Sequence, residues 1–371
     1  MKIQIFSSFL LCVLFCFQTS SLKGKSEQQA ELIAEPVRDS LSFFAGYPLV
    51  FYLPETRLGF AAAGVYTFRS QHSTGNSASN LQALLGYTLN KQLLIFTSYS
   101  IFRKENRHFF GGELGYYDYF YPFYGVGNET KLASEEDFFV KFPRLKSKYL
   151  IKNSYGFYLG PTLHLEDYNI FKTQPNGILD NQLVNGSNGS RLFGLGLSGL
   201  TDKRNVQFYP SKGYFIDASL LYYRVAYDSS NIDYFRFSLS YSHYLSIKEN
   251  LIVAFNLFQE VVGENAPLQE KALYGGPKYA RGYVIGRFRD NLQTVVQSEL
   301  RFPLFWRLKG VAFLSVGNVG ENVRDLKNNI KATYGAGLRV LLSKEEQLHI
   351  RIDYGRSREG GNFYVTIGEA F

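Results

Sequence analysis

Cysteine is almost missing from this sequence. Its two residues, Cys12 and Cys16, both fall in the first stretch of the chain. If that stretch is removed on export, disulfides and thiolate metal sites drop out of consideration. Long apolar runs are also missing. Beyond residue 21 nothing approaches the roughly 18 uninterrupted apolar residues of a membrane helix. An exported chain of this kind can enter a membrane only as a closed barrel, where every backbone group is paired within the protein. Charge is sparse, at 19% of residues, and the net +8 is spread along the chain without a basic cluster. Nucleic acid is therefore not an expected partner. The five histidines, at 72, 108, 164, 243 and 349, show no metal-ligand spacing. There is no H-E-x-x-H, no phosphate loop and no G-x-S-x-G. No enzymatic activity, metal or cofactor is expected.

What the chain has in excess is aromatic residues and glycine: 28 Tyr, 33 Phe and 34 Gly in 371 residues. Low charge with abundant Tyr, Phe and Gly suits a chain that alternates between lipid and water. The N-terminus carries an export signal: Lys2, then a mostly apolar run from Ile3 to Phe17, then small Thr19, Ser20 and Ser21. Bulky Leu14 and Phe15 before Cys16 disfavour lipid attachment at that cysteine. Residues 1–21 are expected to be a signal peptide, 22–45 a periplasmic linker or short helix, and 46–371 a barrel in the bacterial outer membrane.

Alternation is the main structural signal. Leu348, Ile350, Ile352 and Tyr354 alternate with His349, Arg351 and Asp353. In an extended strand these two sets point to opposite sides. Ala332, Tyr334, Ala336, Leu338 and Val340 alternate with Lys331, Thr333, Gly335, Gly337 and Arg339 in the same way. Phe235, Phe237, Leu239 and Tyr241 alternate with Arg236, Ser238, Ser240 and Ser242. A soluble sandwich also alternates, but its solvent face would be rich in Lys and Glu. Here the polar face favours Gly, Ser, Arg and Tyr, and aromatics gather near strand ends as membrane girdles do.

Counting back from the C-terminus, strands are expected near 361–371, 347–356, 330–342, 308–318, 291–303, 250–262, 232–245, 212–228 and 190–201. In the first half they are expected near 47–53, 58–69, 79–89, 92–103, 107–121, 137–149 and 153–167. The fold class is all-β: a transmembrane antiparallel barrel of about sixteen strands, an allowed even number. The last strand is expected to end on Phe371. The tight Asn90-Lys91 turn fits poorly with short turns on one side and long loops on the other. Gly194-Leu195-Gly196-Leu197-Ser198-Gly199 has the form of a dinucleotide fingerprint, but no helix follows it. Its small residues read as the inner face of a strand.

Three motifs stand out. The connection Gly263–Asp290 contains Gly275-Gly276, Ala280-Arg281-Gly282-Tyr283 and Arg287-Phe288-Arg289-Asp290. A second motif is Asp202-Lys203-Arg204-Asn205 followed by Tyr209-Pro210-Ser211-Lys212-Gly213, residue types that set and cap turns. The third is the ending Ile367-Gly368-Glu369-Ala370-Phe371. In this order they resemble the BamA/TamA outer-membrane assembly superfamily (bacterial surface antigen barrels), well over 190–371 and loosely elsewhere. The resemblance implies that the long loop folds into the lumen and is locked by Arg281, Gly282 and Tyr283 of a V-R-G-[FY] element, with Ala280 replacing Val. It implies that Glu299 is an acidic partner of Arg281. A second acid is implied in an F-x-D-x-G run, which here reads Phe313-Leu314-Ser315-Val316-Gly317, with Ser315 in the place of the acid. Asp202, Arg204, Asn205, Pro210 and Gly213 then form a periplasmic turn, and Phe371 the C-terminal signal read by barrel-assembly machinery. The POTRA domains that usually precede such barrels have no counterpart in the sequence, so this is expected to be a form lacking them.

Two functions follow from the resemblance. One is insertion or transport of proteins or lipids at the outer membrane, through a weak seam between first and last strands. Outer-membrane lipid, client outer-membrane proteins and periplasmic accessory subunits are its partners. The departures from the family, the missing POTRA domains and Ser315, favour the alternative of a passive channel or structural barrel without client-assembly activity.

Overall fold

A computed structural model of the chain describes residues 42–68, 78–227, 230–248, 250–344 and 347–371. The expected signal peptide and nearly all of the expected linker lie outside the described residues. Alternating segments become strands here because their outward side chains are apolar and their inward ones polar. The order along the first half is β1 Ser42–Leu53, β2 Arg57–Phe68, β3 Ser79–Thr88, β4 Leu93–Arg103 and β5 His108–Phe123. Then come β6 Glu136–Lys152, β7 Tyr158–Lys172, β8 Ser190–Asp202, β9 Gly213–Tyr227, β10 Ser230–Lys248 and β11 Leu251–Val262. The long loop that follows carries β12 Ala272–Tyr274 and β13 Phe288–Asp290, which pair with each other as a small separate sheet. The wall resumes with β14 Leu292–Pro303, β15 Leu308–Gly320, β16 Lys331–Ser343, β17 Leu348–Ser357 and β18 Gly360–Ile367.

Apart from β12 and β13, these strands form one closed antiparallel barrel of sixteen, each paired with its chain neighbours and β1 closing on β18. The closure is thin. Tyr52 opposite Val365 is the register pair joining β1 to β18, whereas β17 and β18 pair continuously from Ile350/Ile367 to Ser357/Gly360.

Burial is inside out relative to a soluble protein. Arg281, Arg301 and Arg339 are among the largest fully buried side chains, while Phe235 is 60% exposed and Tyr334 59%. Only a lipid-facing exterior makes that arrangement favourable, and it rejects the soluble sandwich. Gly194 and Ser198 of β8 face inward while Leu195 and Leu197 face outward, so the glycine-rich run is a strand face.

The expected strands are all present, with differences at their ends. β1 begins at Ser42, inside the stretch read as linker, because Ser42–Tyr47 extends the pairing with β2. β7 begins at Tyr158 rather than 153, because Asn153 caps a turn by accepting from the Tyr155 and Phe157 amides. β18 ends at Ile367 rather than Phe371, because Gly368 takes a left-handed backbone (φ +76°) that breaks the strand. The Asn90-Lys91 turn lies on the same rim as the long loops, so the wall is low at β3 and β4 and rises at β5 and β6.

Candidate functional site

The site begins with the long loop, whose residues Ala272, Tyr274, Ala280, Arg281, Tyr283 and Phe288 are all buried. Two backbone positions need glycine. Gly282 has φ +123°, and a Cβ there would meet the main chain of Arg356 at 2.9 Å. A Cβ on Gly355 would lie 2.5 Å from the carbonyl of Arg281. Loop and β17 main chains therefore touch directly, which aims the Arg281 side chain along the inner wall.

β18 fastens the tetrapeptide from the side. Gly282 N–H donates to the Tyr364 hydroxyl at 3.0 Å, and that hydroxyl donates to the Tyr283 carbonyl at 2.8 Å. Asn362 Nδ2 donates to the Gly282 carbonyl at 2.8 Å.

The guanidinium of Arg281 then bridges two carboxylates. Its Nη2 donates to Glu299 Oε1 at 2.5 Å and its Nη1 to Asp353 Oδ2 at 2.7 Å. Its flat face lies 3.6 Å from the centre of the Phe313 ring. A planar fork between two fixed acceptors is the geometry that arginine supplies and lysine does not. Ser315 plays no part in this contact: its hydroxyl pairs with that of Thr333 at 2.6 Å.

From these two acids the ion pairs continue toward the other rim. Arg301 donates through Nε to Glu299 Oε2 at 2.8 Å. Arg339 donates through Nη1 to Asp353 Oδ1 at 2.6 Å and through Nε to Glu369 Oε2 at 2.7 Å. Arg301 also reaches the Phe371 main-chain oxygen at 3.2 Å and the Pro210 carbonyl at 3.4 Å. Tyr209 packs its ring 4.5 Å from that of His349, with the Lys309 ammonium 3.7 Å above it. The chain segment after β18 thus turns into the barrel, and the turn before β9 comes up to meet it.

That turn is built as its residue types require. Asp202 accepts a bidentate pair from Arg204, at 2.9 and 2.6 Å. Asn205 Oδ1 accepts from the amides of Ser211 and Lys212 at 3.0 and 3.1 Å. Gly213 has φ +96°, and a Cβ there would lie 2.0 Å from the Lys203 carbonyl oxygen.

Of the residues singled out from sequence, Arg281, Gly282, Tyr283 and Glu299 come together, and Pro210 and Phe371 meet them through Arg301. Asp202, Arg204, Asn205 and Gly213 instead shape the turn that presents Tyr209 and Pro210 to Arg301. Sequence reasoning missed Asp353, Arg301, Arg339, Glu369, Tyr364 and Asn362. Asp353 had a usable signal: an acid at inward parity beside Arg351 on one strand face. Near the long-loop rim the same loop is tied by Arg287, which pairs with both Glu359 oxygens at 2.6 Å and with Thr130. Among the described residues no group of His, Cys, Asp and Glu is placed to hold a metal ion.

This barrel, with a loop locked inside it, defines a class. Residues 62–371 match the Omp85 superfamily domain. The chain belongs to the Omp85 superfamily. Its fold is similar to BamA from Haemophilus ducreyi lacking POTRA domains 1–3, with a TM-score of 0.56 and 14% identity over 88% of this chain and 70% of that one. It is also similar to CdiB from Acinetobacter baumannii, with a TM-score of 0.55 and 13% identity over 88% of this chain. CdiB from Escherichia coli gives a TM-score of 0.55 and 14% identity over 87%. The chain spans 59% and 62% of those two CdiB chains. No curated protein matches by sequence.

Proposed function

We propose that this chain is an outer-membrane barrel that inserts polypeptides into that membrane or translocates them across it. In this reading the long-loop rim is extracellular and the short-turn rim periplasmic. The observation that carries it is the contrast at β18. Among the described residues its outer edge meets β1 through one register pair, Tyr52 and Val365, while its inner face is fastened to the loop by Tyr364 and Asn362. A thinly paired edge is a template on which a client strand can form, and the loop lock would hold that edge in place while a client pairs. Client outer-membrane proteins and periplasmic accessory subunits are the partners this reading needs.

Phe371 has two roles in sequence. Exposed in the unfolded chain, it is the address by which this barrel is inserted. Folded, it is withdrawn against Arg301. Depleting the protein and following outer-membrane protein levels and assembly rates tests the reading. A fall in both is expected, and unchanged levels and rates would contradict it. The second reading is a passive channel or structural barrel. Ser315 in the place of an acid bears on it, and Asp353 supplies Arg281 with a second carboxylate all the same. Planar-bilayer recording separates the two: a closed, flickering conductance fits the locked loop, and a steady one fits a channel.

A further inference from the structure

The outward face of β5 to β10 carries a band of charge toward one end. Lys141 pairs with Asp118 at 3.3 Å, Arg191 with Asp167 at 3.2 Å and Arg224 with Asp233 at 3.2 Å. Each pair lies directly across neighbouring strands, so the three form a row around the wall. Lys172 joins them, its ammonium 4.9 Å from the Phe139 ring. The row sits toward the long-loop ends of the strands. Toward the other ends the same outward faces present Ile151, Leu159, Leu245 and Ile247, all well exposed.

An ion pair facing hydrocarbon is expensive, so charged side chains in this position mark the level where the hydrocarbon ends. What lies beside them at that level is the headgroup layer. The cations have donors to spare. Arg191 is 77% exposed and meets its carboxylate through Nε alone. Arg224 uses Nε and Nη2 on Asp233 and also meets the Tyr222 hydroxyl. The remaining N–H groups of a planar fork suit phosphate oxygens.

We propose that Lys141, Arg191 and Arg224, with Lys172, form a docking surface for the phosphate groups of lipid headgroups in the leaflet at the long-loop rim. Asp118, Asp167 and Asp233 hold the cations in row and compete with phosphate for them. In a ring of sixteen strands this surface lies away from the β1–β18 closure. It would moor the barrel on one side and leave the seam free. The inference rests on the membrane reading given above.

The test reconstitutes the full chain in phosphatidylcholine vesicles containing either diphosphorylated lipid A or the same lipid with its phosphates removed. Native mass spectrometry then counts the lipid that stays bound after extraction. Wild type is expected to retain the diphosphorylated form preferentially. The K141Q/R191Q/R224Q variant should lose that preference by about fivefold per cation, the factor one basic residue contributes near an anionic lipid surface. D167N/D233N, which leaves the cations in place and removes their competitors, should retain more phosphorylated lipid than wild type. Folding of each is checked by the mobility difference between heated and unheated samples. If the triple variant does not fold, D167N/D233N decides. Equal retention of the two lipids by wild type, or no gain in D167N/D233N, overturns the docking surface and leaves the barrel reading intact. Failure of wild type to insert into either vesicle would instead contradict the membrane reading.

Discussion

Asp353 Oδ2 accepts from Arg281 Nη1 at 2.7 Å across 72 residues of chain, from β17 rather than from β15. The residue opposite it on β16 is Gly337, and a Cβ there would lie 1.9 Å from Asp353 Oδ1. The second acid of the lock therefore comes with a purpose-made gap beside it. Glu299 and Asp353 meet the two ends of one guanidinium, and each also binds a further arginine. Removing Arg281 therefore leaves each buried carboxylate with one arginine where it had two.

Arg281→Ala strips two carboxylates of a shared cation in a site where all three side chains are 1% exposed or less. The loss of one partner of a buried pair costs on the order of 3–5 kcal/mol. Urea unfolding of the refolded barrel should show a destabilisation of that order. Arg281→Lys should recover only part of it, because an ammonium has no fork to span both acceptors.

Glu299→Gln and Asp353→Asn act on the same guanidinium and should be non-additive. A double-mutant cycle read by unfolding midpoints should give a coupling of about 0.5–3 kcal/mol. Additivity within about 0.3 kcal/mol would mean the two acids do not share Arg281.

Gly337→Ala pushes a methyl into the space held by the Asp353 carboxylate. A loss of about 1–3 kcal/mol is expected, the usual cost of overpacking. Gly199→Ala is the matched control, since a Cβ there meets nothing closer than 3.7 Å. It should leave the unfolding curve within about 0.5 kcal/mol of wild type.

Phe371→Ala and Glu369→Gln separate the two roles of the tail. Phe371→Ala should slow insertion by assembly machinery in a reconstituted system. Glu369→Gln, which weakens the Arg339 contact at 2.7 Å, should leave insertion rates unchanged and lower the stability of the finished barrel. A slowed insertion in Glu369→Gln alone would assign the address to the wrong residue.

Much of the fold was legible because the solvent on each side of the wall writes itself into every second residue. Runs such as 331–340 and 348–354 need no tertiary information to be read as strands with one lipid face. Ends were harder. Asn153 and Gly156 signal a turn before β7, yet the alternation around them masked it. Gly368 breaks β18 with its left-handed backbone, and only the structure shows the tail then meeting Arg339 and Arg301. Within the site, Arg281 and Glu299 were legible from motif and parity. In the sequence Asp353 is only one more inner-face residue, because strand alternation says which side a group faces but not which distant group it meets. The same blindness separated the loop, the turn and the C-terminal segment, which the barrel brings together through Arg301, Arg339 and Glu369.

Hydrogen exchange on wild type and Arg281→Ala tests that convergence most directly. Coupling through the cluster predicts faster exchange not only in the loop from 263 to 291 but also in the turn from 203 to 212 and in the segment after Ile367. Faster exchange confined to the loop, with the turn and tail as protected as in wild type, would contradict it.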